Sequence, residues 1–141
     1  MLWRDWSSDV CSSDLNPVPV VAALVEVAGQ IVLARNAAWP TGQFGLVTGF
    51  LERDESPAAA VAREDKEELD LDASSVALIG VYPFTVKNEL ILAYHVVADG
   101  RIRLNEELAE IRLVSPERLK AWDFGTGLAV ADWLRGRLAG A

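Results

Sequence analysis

The chain has 141 residues, about half of them apolar, which suits one domain around one core. Thirteen basic against twenty-one acidic residues give a formal net charge of −8, which argues against nucleic-acid polymers and anionic membranes as partners. A lone cysteine, Cys11, and a lone histidine, His95, exclude a disulfide framework and a cysteine-based zinc site within one chain, and favour carboxylate chemistry over nucleophile–histidine pairs.

Residues 3–15, WRDWSSDVCSSDL, are rich in Ser and Asp and have no sustained period. Residues 1–14 therefore read as a loose tail ahead of one domain over 15–141. The start lacks a signal peptide's apolar segment, and runs such as Val18–Val25 are too short to span a bilayer, so a cytoplasmic protein is expected. Val18–Val25 is apolar and β-branched enough for a strand buried on both faces. Ala28-Gly29-Gln30 predicts a turn, and Ile31–Ala34 its partner strand. Pro40 and Gly42 make Asn36–Gln43 a loop, and Gly45–Thr48 follows as a short strand.

Ser56 is a good N-cap with Pro57 at the first helical position, and the alanine-rich run beyond predicts a helix to Leu69. Val76–Val81 and Leu90–Val97 read as strands, with Pro83 between them disfavouring regular pairing. Ile111–Val114 is a last strand. Ser115-Pro116 predicts a short helix to about Ala121, and Thr126–Leu138 a final helix burying Leu128, Ala131, Leu134 and Leu138. The order implies an α/β fold, a central mixed sheet with helices on both faces.

Acidic residues concentrate at Gly49–Glu55 and Arg63–Glu68. On a helix Glu64 and Glu68 lie about 40° apart, and Glu67 about 60° from Glu64 on the other side, so all three share one broad face. Arg63 stands at i,i+4 from Glu67. Carboxylates so close repel unless a cation joins them, and Mg²⁺ prefers oxygen donors. A solvated charged surface is the alternative that periodicity leaves open.

The segment resembles the Nudix box: a glycine, five residues, a glutamate, seven residues, then Arg-Glu-U-x-Glu-Glu-x-Gly-U, where U is a bulky aliphatic. Gly49, Glu55, Arg63, Glu64, Glu67, Glu68 and Leu71 match it. The resemblance extends from Pro17 to about Leu138 and implies a Nudix-type α-β-α sandwich. It implies hydrolysis, dependent on Mg²⁺ or Mn²⁺, of a small nucleoside diphosphate linked to another group. By the same resemblance Glu64, Glu67 and Glu68 become metal ligands and Glu52 a further acidic ligand. Arg63 orients the carboxylates, Gly49 permits a tight loop beside the phosphate, and Glu55 supports that loop. Glu107 is implied as an extra ligand or general base, with Glu110 a surface acid.

Three positions depart from the pattern. Asp54 and Asp70 stand where the family has glycine, and Asp65 where it has an aliphatic residue. Val61, Asp65 and Leu69 form the line expected to pack on the sheet, where an unpaired carboxylate costs several kcal/mol. These departures leave a second possibility, a catalytically weakened or inactive Nudix-like nucleotide-binding or scaffold domain.

On the substrate side, Tyr82-Pro83-Phe84 faintly resembles a motif of the Nudix NADH pyrophosphatases, so a NADH-like dinucleotide stands beside ADP-ribose as a candidate. That subgroup's zinc ribbon has no counterpart before Asn16. The segment there resembles a translated sequencing adapter, which would leave Cys11, Trp3 and Trp6 without a role. Tyr82 and Phe84 suit either base stacking or core packing. Trp39 suits a nucleobase cover, packing or a homodimer contact, and Arg35 is a candidate counter-charge at the substrate. His95 reads as structural within its apolar strand. Trp122–Gly127 offers a glycine-bearing turn whose backbone N–H groups either meet an anion or cap the last helix, with capping favoured because a P-loop's lysine and spacing are absent.

Overall fold

A computed structural model describes residues 16–139, so Trp3, Trp6 and Cys11 lie outside the described residues. Six strands form one mixed sheet: β1 (Val18–Val27), β2 (Gln30–Asn36), β3 (Val47–Phe50), β4 (Asp72–Phe84), β5 (Glu89–Asp99) and β6 (Leu108–Val114). Among the described residues two α-helices, α1 (Pro57–Leu69) and α2 (Gly127–Ala139), and one short helical turn, Thr85–Lys87, complete the fold. The strand order is β4-β5-β1-β2-β6, with β3 also paired to β1. β1 and β5 run parallel, and every other pair is antiparallel.

β1 is apolar from Val18 to Val25 because both faces of its centre are covered. Val21, Ala23 and Val25 pack with Ala60, Val61 and Leu69 of α1, whereas Ala22 and Leu24 pack with Ala129 and Val130 of α2. This is the expected sandwich. β1 also changes neighbours along its length: Val25–Val27 pair with β2, and Val20–Ala23 pair with β3. Where β2 leaves to join β6, β3 fills the lane, and a cleft opens at that division.

The first long helix has the predicted bounds, with Ser56 Oγ accepting from Ala59 N–H at 3.2 Å and Pro57 at its start. Asp70 closes it in the left-handed region at φ 59°, and Asp54 turns the preceding loop at φ 62°. Both therefore occupy conformations that favour glycine, at roughly 1 kcal/mol each.

Three expectations need correction. β4 extends to Phe84, and Pro83 pairs with Leu90. It is an edge strand, where proline is tolerated. Residues 116–118 form a turn, closed by Leu119 N–H to Ser115 O at 3.0 Å, and the stretch to Ala121 is not a helix. In α2 the buried side is Ala129 and Val130, with Trp133 and Leu134 packed beside them, while Leu128 and Leu138 are exposed. Of the leucine line only Leu134 packs there, because Ala129, Val130, Trp133 and Leu134 form one i, i+1, i+4, i+5 stripe.

Candidate active site

α1 presents its acids to two surroundings. Glu64 and Glu68 are buried, whereas Glu67 is half exposed. Glu64 reaches its position only because Gly49 lies opposite: a Cβ there would overlap the Glu64 carboxyl group. Gly49 has no left-handed backbone, so close approach, rather than the turn expected from the sequence, requires glycine.

Arg63 ties the preceding loop to the helix. Its Nε and Nη2 donate to the two oxygens of Glu55 at 2.7 and 3.0 Å, and Nη2 also to Phe50 O at 3.1 Å. Nη1 donates to Glu64 and Glu67 at 3.0 Å each, and Glu52 lies 3.6 Å from Nε. The hydrogen bond from Arg63 holds the Glu55 carboxyl below its usual pKa. Glu55 also accepts from Glu52 N–H at 3.0 Å, which fixes the turn that begins the loop.

The chain returns to this helix much later. Arg103 N–H donates to Leu69 O at 2.9 Å and Asn105 N–H to Glu68 O at 3.2 Å, so the segment before β6 lies against the end of α1. Asn105 Oδ1 then accepts from Glu107 N–H at 2.9 Å. As a result, one carboxylate oxygen each of Glu64, Glu68 and Glu107 lies within 4.8 Å of the others. Burial, then hydrogen bonding and charge repulsion from Glu64, with repulsion from Glu107 and Glu67 added, pushes the Glu68 carboxyl well above the usual carboxylate range. Glu68 Oε2 is buried with no hydrogen-bond partner.

This group borders a cavity of about 900 Å³ at the division of the sheet. Gly49, Glu52, Arg63, Glu64, Glu67 and Glu107 line one side. Trp39, Trp122, Phe84 and Phe124 give the cavity an aromatic wall. Phe84 and Phe124 have ring centroids 6.5 Å apart, and Gly125 brings the backbone to within a Cβ contact of Phe84 at 3.3 Å.

Other residues singled out by the sequence lie elsewhere. Arg35 is not among the lining residues; it donates to Glu110 at 2.8 Å and to Trp39 O at 3.1 Å, and so fixes the loop that carries Trp39. Tyr82 donates to Asp132 at 2.5 Å on the α2 side. His95 contacts Glu26 at 2.8 Å and the Trp133 ring, as a structural histidine does. Asp65 is fully buried with neither oxygen bonded, and burial pushes it up to about 7. Sequence reasoning favoured capping over anion contact for Trp122–Gly127, of which Trp122, Phe124, Gly125 and Thr126 line the cavity, and passed over Lys87, which also lines it.

Comparison with known proteins agrees with this architecture. The NAD-capped RNA hydrolase NudC of Mycobacterium bovis is 34% identical over 119 residues, 82% of this chain but 36% of its own length. This chain thus spans about a third of that relative. A MutT-like protein of Streptomyces ambofaciens is 28% identical over 120 residues, 84% of this chain and 77% of its own. A crystal structure of a NUDIX hydrolase from Nitrosomonas europaea shares the fold with a TM-score of 0.70 at 23% identity, over 85% of this chain and 69% of that one. The NUDIX domain itself is matched by residues 15–132, most of the sequence, and the chain therefore belongs to the Nudix hydrolase family.

Proposed function

We propose that the domain hydrolyses the diphosphate of a nucleoside diphosphate joined to a second group, with Mg²⁺ or Mn²⁺ held by Glu64, Glu68 and Glu107. The observation that supports this most is the convergence of those three carboxylates beside a cavity of dinucleotide size. The donors fit such an ion. All are oxygens, and ligands about 2.1 Å from one Mg²⁺ lie no more than about 4.2 Å apart, against the 4.8 Å within which these three lie. The orphaned Glu68 Oε2 is a buried acceptor that a cation would satisfy. Glu67 and Glu52 are assigned to the outer wall with Arg63.

A divalent ion bound there would polarise a phosphoryl oxygen and ease deprotonation of nearby water. Proton acceptance is assigned to Glu107, the exposed member of the three, which water can reach. The water oxygen bonds to one phosphorus, the bridging P–O bond breaks, and the bridging oxygen leaves on the other phosphate. Two monophosphate-bearing products result.

ADP-ribose and NAD(H)-like dinucleotides are the substrate candidates. The relatives named NAD-capped RNA hydrolases add a dinucleotide carried on RNA. The exclusion of polymers drawn from net charge does not extend to such a substrate, because the cavity need hold only its capped end. Hydrolysis of ADP-ribose, NADH, an NAD-capped oligoribonucleotide and nucleoside triphosphates, with Mg²⁺ or Mn²⁺, tests the reading. We expect turnover of at least one, lost in EDTA and lowered about 100-fold or more by Glu68→Gln. Folded protein that binds neither ion and turns over none of them would refute it.

The unpaired, buried Asp65 supports a second reading, a nucleotide-binding domain without turnover. It predicts nucleotide affinity that Glu68→Gln leaves unchanged.

A further inference from the structure

We propose that Lys87 is a specificity-determining residue that binds the phosphate of the nucleotide half lying against the aromatic wall, an assignment that rests on the hydrolase reading above. Charge is the first ground for it. Five glutamates line the cavity, Glu52, Glu64, Glu67, Glu89 and Glu107, against two cations, Arg63 and Lys87. An anionic ligand entering such a space needs a free positive group.

Arg63 is not free. Its guanidinium is occupied by Glu55, Glu64, Glu67 and the Phe50 carbonyl. Lys87 differs: among the described residues its ammonium makes no ion pair, not even with Glu89 two positions away. It is exposed at the end of the single helical turn Thr85–Lys87, which joins β4 to β5.

Position is the second ground. Phe84 immediately precedes that turn and faces Phe124, so the cation and a stacking surface belong to one side of the cavity. Gly49 sits on β3 and Glu89 on β5, the two strands flanking the start of β1. The carboxylate end and the lysine end are thus two strand spacings apart across the sheet, about 10 Å, and offset along it by the step from Val21, opposite Gly49, to Val18, opposite Glu89. A base stacked on Phe84 and Phe124 directs the diphosphate into the space between the two ends, its nucleoside-side phosphate toward Lys87 and its other phosphate toward Glu64 and Glu68.

AMP titrated into the full chain in EDTA tests this without the metal, with adenosine as the phosphate-free control. Lys87→Ala should weaken AMP about tenfold and leave adenosine unchanged. Lys87→Arg should retain most of the affinity, and the difference should shrink with added salt. Equal AMP affinity in wild type and Lys87→Ala, an equal loss for adenosine, or no AMP binding by the wild type would overturn the proposal. Turnover with Mn²⁺ is read separately. If AMP binding depends on Lys87 but no variant hydrolyses any substrate, the lysine assignment stands and the hydrolase reading fails. If turnover is present but AMP affinity is indifferent to Lys87, the hydrolase reading stands and the lysine assignment fails.

Discussion

Between Val61 and Leu69, the side chain of Asp65 has no exposure and no hydrogen-bond partner. Desolvation disfavours its charged form and raises it to about 7 from 3.8. The folded protein therefore holds this proton more tightly than the unfolded chain does. Stability from this group is fully present below about 4 and falls as pH rises toward 7, by several kcal/mol. Glu68, raised first by burial, adds a slope of the same sign. Asp65→Val should therefore flatten the melting temperature against pH and raise it at pH 7 by on the order of 10 °C. A midpoint at pH 7 that is unchanged or lower would contradict this account.

At the scale of elements, Arg63 joins α1 to the loop 50–55, because one planar fork serves several acceptors in different directions. Lysine keeps the charge but not the fork. Arg63→Lys should lower kcat/KM about tenfold or more and speed amide exchange in residues 50–55, with a small change in melting temperature. Unaltered exchange in that loop would show that the tether is dispensable. The helix itself was readable from sequence, since Ser56, Pro57 and the alanine run act locally. So was the strain at Asp70, because positive φ there follows from cap geometry. Less local features were not. The end of β4 was missed because Pro83 breaks only interior strands, and edge position is a property of the whole sheet. Glu107 was reached only through the family resemblance, because its approach to Glu68 depends on main-chain bonds from Arg103 and Asn105 across a long sequence separation. Lys87 carries no motif, and its significance appears only once Arg63 is seen to be occupied.

For the molecule as a whole, crowding three carboxylates at one end of the sheet costs folding energy that a cation can offset. A ligand that binds only the folded state stabilises it by about 2.7 kcal/mol at one hundred times its dissociation constant. Thermal melts should therefore rise with Mn²⁺ or Mg²⁺ and fall back in EDTA. Glu68→Gln should melt higher than wild type in EDTA at pH 7, because a carboxyl that must be buried among like charges is gone, yet respond less to the ion. No response of the wild type to either ion would count against a metal held there.

The exchange of β2 for β3 beside β1 has a further consequence. The connection that carries Trp39 leaves one strand and returns as the other, bordering the cavity without passing through α1 or the segment of Glu107. Its first residues are tied to the acidic group, Ala37 N–H donating to Glu107 O at 2.9 Å, but the stretch beyond can be varied while the carboxylates stay in register. Under the proposed function, ligand preference and bond-breaking chemistry would then be separable traits.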